Sequence, residues 1–244
     1  MSRRFIAKVG AAALFALGCS DGESDPGGTT AGGGTTAGGS GGGSGAGIGA
    51  GSGYCESLTA GLVEGSGVPE APAAPLAEAE IEVSACGALE REFAPESPNH
   101  VADCTDIAYS TNPPCTGSHY GIWPAFDVYD EAIPRGFWVH GLEHGAVVIG
   151  YSCTDCDDEL RAAEALLDEI GDDPLCVVAG RPSRRTLLTP DPRLETAWAA
   201  AAWGFTLTAD CFEPEVFRSF VLAHRGNGPE AVCTEGLNVS EPPP

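Results

Sequence analysis

Two histidines and a glutamate lie close together in the stretch from Phe137 to Tyr151. His140 and His144 are four residues apart, and Glu143 stands between them. A spacing of four places two side chains on the same face of a helix and also on the same face of a strand. Because neutral imidazole is a preferred ligand of zinc and copper, these histidines predict half of a transition-metal site.

A third histidine, His119, follows two adjacent prolines and a glycine, which predict an extended, turned loop. A loop histidine is a common third ligand, and three imidazoles leave one coordination position open. We therefore expect a zinc or copper site made by His119, His140 and His144, with Glu143 or His224 in reserve. The alternative is that the histidines are structural, hydrogen-bonded residues and that Glu143 orients one of them.

The local structure around the two histidines bears on which chemistry is open to them. Gly141 and Gly145 disfavour a regular helix, and the apolar, β-branched run from Val147 to Ile149 is typical of a buried strand. We expect a loop that presents the histidines and leads into a central strand. The pattern His-x-x-Glu-His also matches the inverted zincin signature, in which the glutamate is a general base. That mechanism needs a helix, so we expect metal binding without hydrolysis.

A different chemistry is suggested by Cys153 and Cys156, which form a Cys-x-x-Cys pair. The pair follows the central strand and precedes a predicted helix, and residues 175–179 are predicted as a second buried strand. This is the local order of a thioredoxin-like redox site, where a helix N-terminus favours the thiolate of the first cysteine. The aspartates at 155, 157 and 158 oppose it by charge repulsion, so the alternative is a structural disulfide.

The composition limits the classes of partner. The chain of 244 residues carries a formal charge of −23, from 12 basic and 35 acidic residues. This balance disfavours nucleic acid, because phosphate contacts need arginine or lysine, and it attracts cations. Lys8 is the only lysine, which excludes lysine-based catalysis beyond the N-terminal segment. Ten cysteines point to an oxidising compartment.

The N-terminus predicts export. Residues 1–18 combine a basic start with a short apolar core, as signal peptides do, and they end before Cys19 in a sequence that resembles a bacterial lipobox. This resemblance implies cleavage before Cys19, lipidation of its thiol and anchoring in the outer membrane. An ordinary signal with a free Cys19 is the alternative. Residues 19–53 are rich in Gly, Thr and Ser and predict a disordered tether.

The remaining chain predicts one α+β domain with a mostly antiparallel sheet, two main helices and several disulfides. The first helix runs from Asp157 to Ile170 and the second from Pro214 to Ala223. Strands are expected at residues 147–149, 175–179, 186–189 and from about 201 onward. We divide this part into a Pro/Ala-rich, cysteine-pinned preamble with little regular structure at 54–104, the domain at 105–233 and a tail at 234–244.

Four short motifs between Tyr109 and Glu230 resemble the family called domain of unknown function 3105 (DUF3105), found in bacterial exported and membrane proteins. They are Pro113-Pro114 with Gly117 and His119, the stretch Val139 to Ile149, Ala202-Trp203-Gly204, and Gly228-Pro229-Glu230. The resemblance implies the domain boundaries and the importance of the histidines. It implies no activity.

Together these patterns predict an exported, lipid-anchored protein that binds zinc or copper in a sequestering or delivery role, with no residue assigned to catalysis. The membrane, through the lipid anchor, is the expected contact, and a protein partner is a further one. The main alternative is a non-catalytic cell-envelope module that binds another protein or a glycan.

Overall fold

The computed structural model describes residues 72–239. The predicted signal peptide, Cys19 and the predicted tether lie outside the described residues. Within them the elements in chain order are β1 (Ala77–Glu80), β2 (Leu89–Glu92), β3 (His100–Val101), β4 (His119–Tyr120), α1 (Arg135–Glu143), β5 (Val147–Tyr151), α2 (Asp157–Ile170), α3 (Pro174–Val178), β6 (Thr186–Pro190), β7 (Trp198–Ala202), β8 (Phe205–Ala209) and α4 (Pro214–His224).

The main sheet has six strands in the order β1-β2-β8-β7-β5-β6, and a separate pair joins β3 to β4. Within the main sheet only β5 and β6 are parallel to each other, and the other neighbours are antiparallel. The predicted α+β class with a mostly antiparallel sheet is therefore confirmed. The preamble is more regular than expected, because β1 and β2 extend the main sheet.

Alternate residues of β5 pack into two different hydrophobic cores. Val147 and Ile149 pack with the apolar faces of α2 and α4 on one side of the sheet. Val148 packs with Phe137 and Leu142 of α1 on the other side. Because β5 is covered on both faces, its continuous apolar run is the pattern expected of a buried central strand.

The helix predicted from residue 157 to residue 170 is confirmed as α2. Ala163, Leu166 and Leu167 bury one face of α2, three acidic residues occupy its first turn, and Gly171 follows it with φ +56°. The acidic first turn complements the positive end of the helix dipole. The second predicted helix is confirmed as α4.

The loop expected around the two histidines is wrong, because residues 135–143 form helix α1. All nine residues of α1 are buried, including Phe137 and Trp138. A helical glycine costs about 1 kcal/mol, which the burial of these large side chains outweighs. Gly145, at φ +85°, lies beyond the helix end, where glycine favours termination.

The strand expected at residues 175–179 is also wrong, because residues 174–178 form the short helix α3. Asp173 caps it by accepting a hydrogen bond from the Leu175 N–H at 2.8 Å, and Pro174 occupies its first turn. The strand expected from about residue 201 is instead a hairpin, since β7 ends at Ala202 and Gly204 turns the chain at φ +80° into β8.

Three disulfides lie within the described residues, namely Cys86–Cys211, Cys153–Cys156 and Cys176–Cys233. Cys104 is disulfide-bonded as well, and Cys115 is a buried free thiol. None of the described helices has the length and apolar character needed to cross a membrane.

Candidate metal centre

Three imidazole rings, from β3, β4 and α1, lie close together at the end of α1. His100 on β3 lies opposite His119 on β4 in the parallel pairing of these strands. The ring centroid of His140, in the last turn of α1, lies 4.8 Å from that of His100 and 4.8 Å from that of His119. The His100 and His119 rings are 4.9 Å apart. The three rings therefore form a nearly equilateral triangle.

Close packing of α1 on β4 brings His140 to the other two histidines. A Cβ atom at Gly136 would lie 2.6 Å from the ring of Tyr120, so glycine permits this approach. The Tyr120 ring also packs edge-on against Phe137, with 4.8 Å between centroids. His119, next to Tyr120 in β4, is thereby held against the end of α1.

Glu143 completes the group from one turn further along α1, since residues three apart lie on the same helix face. Its Oε2 atom is 3.1 Å from His119 Nε2 and 3.9 Å from His100 Nε2. One ligand atom from each of His100, His119, His140 and Glu143 lies within 4.8 Å of the others. Neighbouring ligand atoms of a tetrahedral zinc ion are about 3.4 Å apart, so these side chains need to move by only about 1 Å.

Backbone carbonyls fix the orientation of two of the rings. His119 Nδ1 lies 3.0 Å from the carbonyl oxygen of Gly117, and His140 Nδ1 lies 2.7 Å from that of Tyr120. A carbonyl oxygen only accepts hydrogen bonds, so both Nδ1 atoms carry the proton and both Nε2 atoms keep a free lone pair. Metal-binding histidines are held by the same second contact.

The environment keeps these imidazoles neutral. Burial lowers the pKa of His119, and burial together with repulsion from His119 lowers the pKa of His140 to about 4. Burial, and then the nearby carboxylate of Glu230, raises the pKa of Glu143. Neutral rings have a lone pair available for a cation. A bound cation would also favour the ionised form of Glu143.

The site is closed on most sides and open at His100. The side chain of His100 is 58% exposed, whereas His119 is fully buried. His119 Nε2 is buried without a hydrogen-bond partner among the described residues, although Glu143 Oε2 lies 3.1 Å away. An ion entering past His100 would supply the partner that this atom lacks.

A second group of ligand atoms shares Glu143. It consists of Glu143, His144 and Glu230, whose ligand atoms also lie within 4.8 Å of one another. His144 Nε2 is 3.4 Å from the Glu230 carboxylate, while His144 Nδ1 is buried without a hydrogen-bond partner among the described residues. Burial and repulsion from His140 lower the pKa of His144 to about 4. The ring of Trp123 packs against both His140 and His144.

The segment after α4 places Glu230 at this second group. The Glu230 N–H donates to the carbonyl oxygen of Glu143 at 3.0 Å. A Cβ atom at Gly228 would lie 2.2 Å from the same oxygen and 2.3 Å from the Gly145 nitrogen. Only glycine fits this contact, which gives a physical reason for the sequence Gly228-Pro229-Glu230.

Of the four residues predicted as ligands, the structure brings His119, His140 and Glu143 together and places His144 in the adjoining group with Glu143. His224, held in reserve, is elsewhere and stacks on Phe205 with its Nε2 atom 3.0 Å from Glu90. The sequence analysis missed His100, which lies in the segment assigned to the preamble. The helix that an inverted zincin requires is present. However, that mechanism needs His140 and His144 to bind the same ion, and the structure places them in different ligand groups.

Comparison with known protein families matches residues 100–235 to the family described as "Protein of unknown function (DUF3105)". The matched range begins at His100 and includes Glu230, so it contains every residue of both ligand groups. No curated protein matches the chain, and no solved structure does. Because the match covers more than half of the 244 residues, the protein belongs to the DUF3105 family.

Proposed function

We propose that this domain binds one transition-metal ion, zinc or copper, through His100, His119, His140 and Glu143. The observation that carries the proposal is the triangle of three imidazoles closed by a carboxylate, with all four ligand atoms within 4.8 Å of one another. Three histidines and one carboxylate form a donor set that suits both metals.

The state of the rings favours ligation over a structural role. A structural histidine cluster would satisfy its nitrogen atoms by hydrogen bonds, yet the buried His119 Nε2 has no such partner among the described residues. Leaving a buried polar atom unpaired costs about 1–3 kcal/mol. Coordination would remove this cost, and the charge of the ion would offset the burial and the repulsion from Glu230 that raise the pKa of Glu143.

The ligand count supports sequestration or delivery rather than hydrolysis. Four protein ligands fill a tetrahedral ion, whereas a hydrolytic zinc ion keeps one position for water. Glu143 is itself one of the ligands, which leaves no carboxylate in the first group to act as a general base. The exposed ring of His100 gives a route by which the ion is taken up and released.

The proposed setting is the cell envelope, with the protein exported and lipid-anchored at Cys19. The basic and apolar start of the sequence, the lipobox-like residues before Cys19 and the disulfides of the domain support this setting. The net charge of −23 would concentrate cations near the site.

The test is elemental analysis of the exported mature protein, purified without chelators and without a His-tag. We expect about one zinc or copper ion per chain, and loss of this ion in a His119→Ala, His140→Ala double variant. His224→Ala is the matched control, because His224 belongs to neither ligand group, and it should keep the ion. A folded, metal-free chain that takes up neither zinc nor copper on titration would overturn the proposal and favour the interaction-module alternative.

A further inference from the structure

The second half of the domain has the strand arrangement of thioredoxin. Strand β5, helix α2 and strand β6 form a parallel β-α-β unit, with the short helix α3 between α2 and β6. Strands β7 and β8 with helix α4 form an antiparallel β-β-α unit. The strands lie in the order β6-β5-β7-β8. Helices α2 and α4 share the apolar core on one face of the sheet. This is the connectivity of a thioredoxin core, except that no helix lies between β6 and β7.

Cys153 and Cys156 occupy the position of the redox pair in that arrangement. They lie between the end of β5 at Tyr151 and the first residue of α2, and Cys156 is the N-cap residue. A Cys-x-x-Cys pair beside a β-α-β unit is typical of thiol–disulfide exchange. Both cysteines are only partly buried, although they pack against the core, and Thr154 and Asp155 between them are exposed, so the pair lies at the surface.

The Cys153–Cys156 bond differs from the other disulfides in what it can stabilise. Cys86–Cys211 and Cys176–Cys233 join residues that are 125 and 57 positions apart, whereas Cys153 and Cys156 are 3 positions apart. A cross-link stabilises a fold mainly by restricting the unfolded chain, and this effect grows with loop length. The short loop therefore gives little stability, which argues for a role other than a structural cross-link.

We propose that Cys153 and Cys156 form a redox-active pair that reduces disulfides of a protein substrate. In the reduced form, the Cys153 thiolate attacks one sulfur of the substrate disulfide, forms a mixed disulfide and releases the other substrate sulfur as a thiolate. The Cys156 thiolate then attacks the Cys153 sulfur, which restores the Cys153–Cys156 bond and releases the second substrate thiol. The substrate gains two electrons, and a partner protein dithiol restores the reduced pair by the reverse exchange.

The charge around the cysteine pair favours reduction of the substrate over its oxidation, and it also selects the kind of substrate. A strongly oxidising pair needs a stabilised thiolate, and the carboxylates of Asp155, Asp157 and Asp158 repel one. Together with Glu159 and with Arg161, which is ion-paired with Asp158, they line an open cavity of about 520 Å³ beside Cys156. This acidic surface fits a basic substrate segment. Ala197, rather than a proline, directly precedes β7, so the wall opposite the pair differs from that of thioredoxin.

The redox pair and the metal centre are separate. His144 precedes β5 and Cys153 follows it, so the two sites lie at opposite ends of a strand that spans about 16 Å. The proposal therefore stands or falls independently of metal binding.

The test uses the full mature protein and a basic, disulfide-bonded peptide as the substrate, with dithiothreitol as the final reductant. We expect this peptide to be reduced at least tenfold faster with the wild type than with Cys153→Ser, while Cys115→Ser, which changes a free thiol outside the pair, retains the wild-type rate. The Cys156→Ser variant should accumulate a mixed disulfide of Cys153 with a basic, disulfide-bonded peptide, visible as a mass increase that dithiothreitol removes. A wild-type rate equal to that of Cys153→Ser, or no adduct on folded Cys156→Ser, would overturn the proposal.

Discussion

Acidification should destabilise the metal-free domain through its buried histidines. The pKa values of His140 and His144 are each lowered to about 4 in the folded chain, against 6.5 for the unfolded chain. As the pH falls from 7 to 5, the unfolded state takes up protons that the folded state excludes. The stability that depends on these neutral rings is thus complete above pH 6.5 and is lost as the pH falls toward 4.

The magnitude follows from the difference between the two pKa values. One such histidine makes the free energy of unfolding lower by about 2 kcal/mol at pH 5 than at pH 7. The two rings are in contact, with 4.6 Å between centroids, and the charge on one disfavours charging the other. The pair should therefore contribute about 2–4 kcal/mol. Glu143 acts in the opposite direction, since its raised pKa makes the folded state bind a proton first as the pH falls.

The assay compares urea unfolding of the wild type with that of a His140→Gln, His144→Gln double variant at pH 7 and at pH 5, both in excess chelator. Glu143 and the surface carboxylates are present in both proteins, so their contributions largely cancel. The wild type should lose about 2–4 kcal/mol more than the variant between the two pH values. Equal losses in the two proteins would refute the argument that burial holds these rings neutral.

Three further predictions concern single positions. Gly228→Ala should destabilise the domain by about 2 kcal/mol or more in urea unfolding, because its Cβ atom would overlap the Glu143 carbonyl oxygen. The control is Gly121→Ala, which should be nearly neutral because its Cβ atom would meet nothing closer than 3.7 Å. Glu230→Gln should leave about one ion bound per chain in elemental analysis, because Glu230 belongs to the adjoining ligand group, and loss of the ion would contradict the division into two ligand groups. Burial raises the pKa of Cys115 to about 12, so iodoacetamide should alkylate this thiol at pH 8 only after the protein unfolds. Mass spectrometry would detect the alkylation, and rapid labelling of the folded chain would contradict this prediction.

The elements that could be predicted from sequence are those specified by their own residues. Helix α2 carries its apolar spacing, its acidic start and its terminating glycine within one segment, and β5 carries its apolar run. Helix α3 has an apolar run as well, but Leu175 and Val178 are 62% and 88% exposed. A run of apolar residues does not specify its own burial, and here Asp173 and Pro174 start a helix instead.

Helix α1 shows how tertiary packing overrides local preference. Gly136 and Gly141 both disfavour a helix when the sequence is considered alone. In the fold, Gly136 admits the ring of Tyr120 and a Cβ at Gly141 would already be in contact with Phe126 at 3.5 Å. Gly136 is therefore a condition for close packing, whereas a Cβ at Gly141 would make an ordinary contact, and the partners that make the helix favourable lie in distant segments.

The candidate metal centre was only partly predictable for the same reason. His140 and Glu143 belong to one helix, so their proximity is a property of the local sequence. His100 joins them only because β3 pairs with β4 in the register that sets His100 against His119. Neither two-residue strand has a periodic pattern long enough to predict its pairing.

The topology also explains how one small domain has room for the two proposed sites. Strand β5 is buried on both faces, and α1 before it and α2 after it cover opposite sides of the sheet. Helix α1 does so with its last turn directed at β3 and β4, where the imidazoles meet. Helix α2 does so on the other face, and its N-terminus leaves Cys153 and Cys156 at the surface. The two sites share the strand but no side chain, so residues of one site can be substituted without replacing a residue of the other.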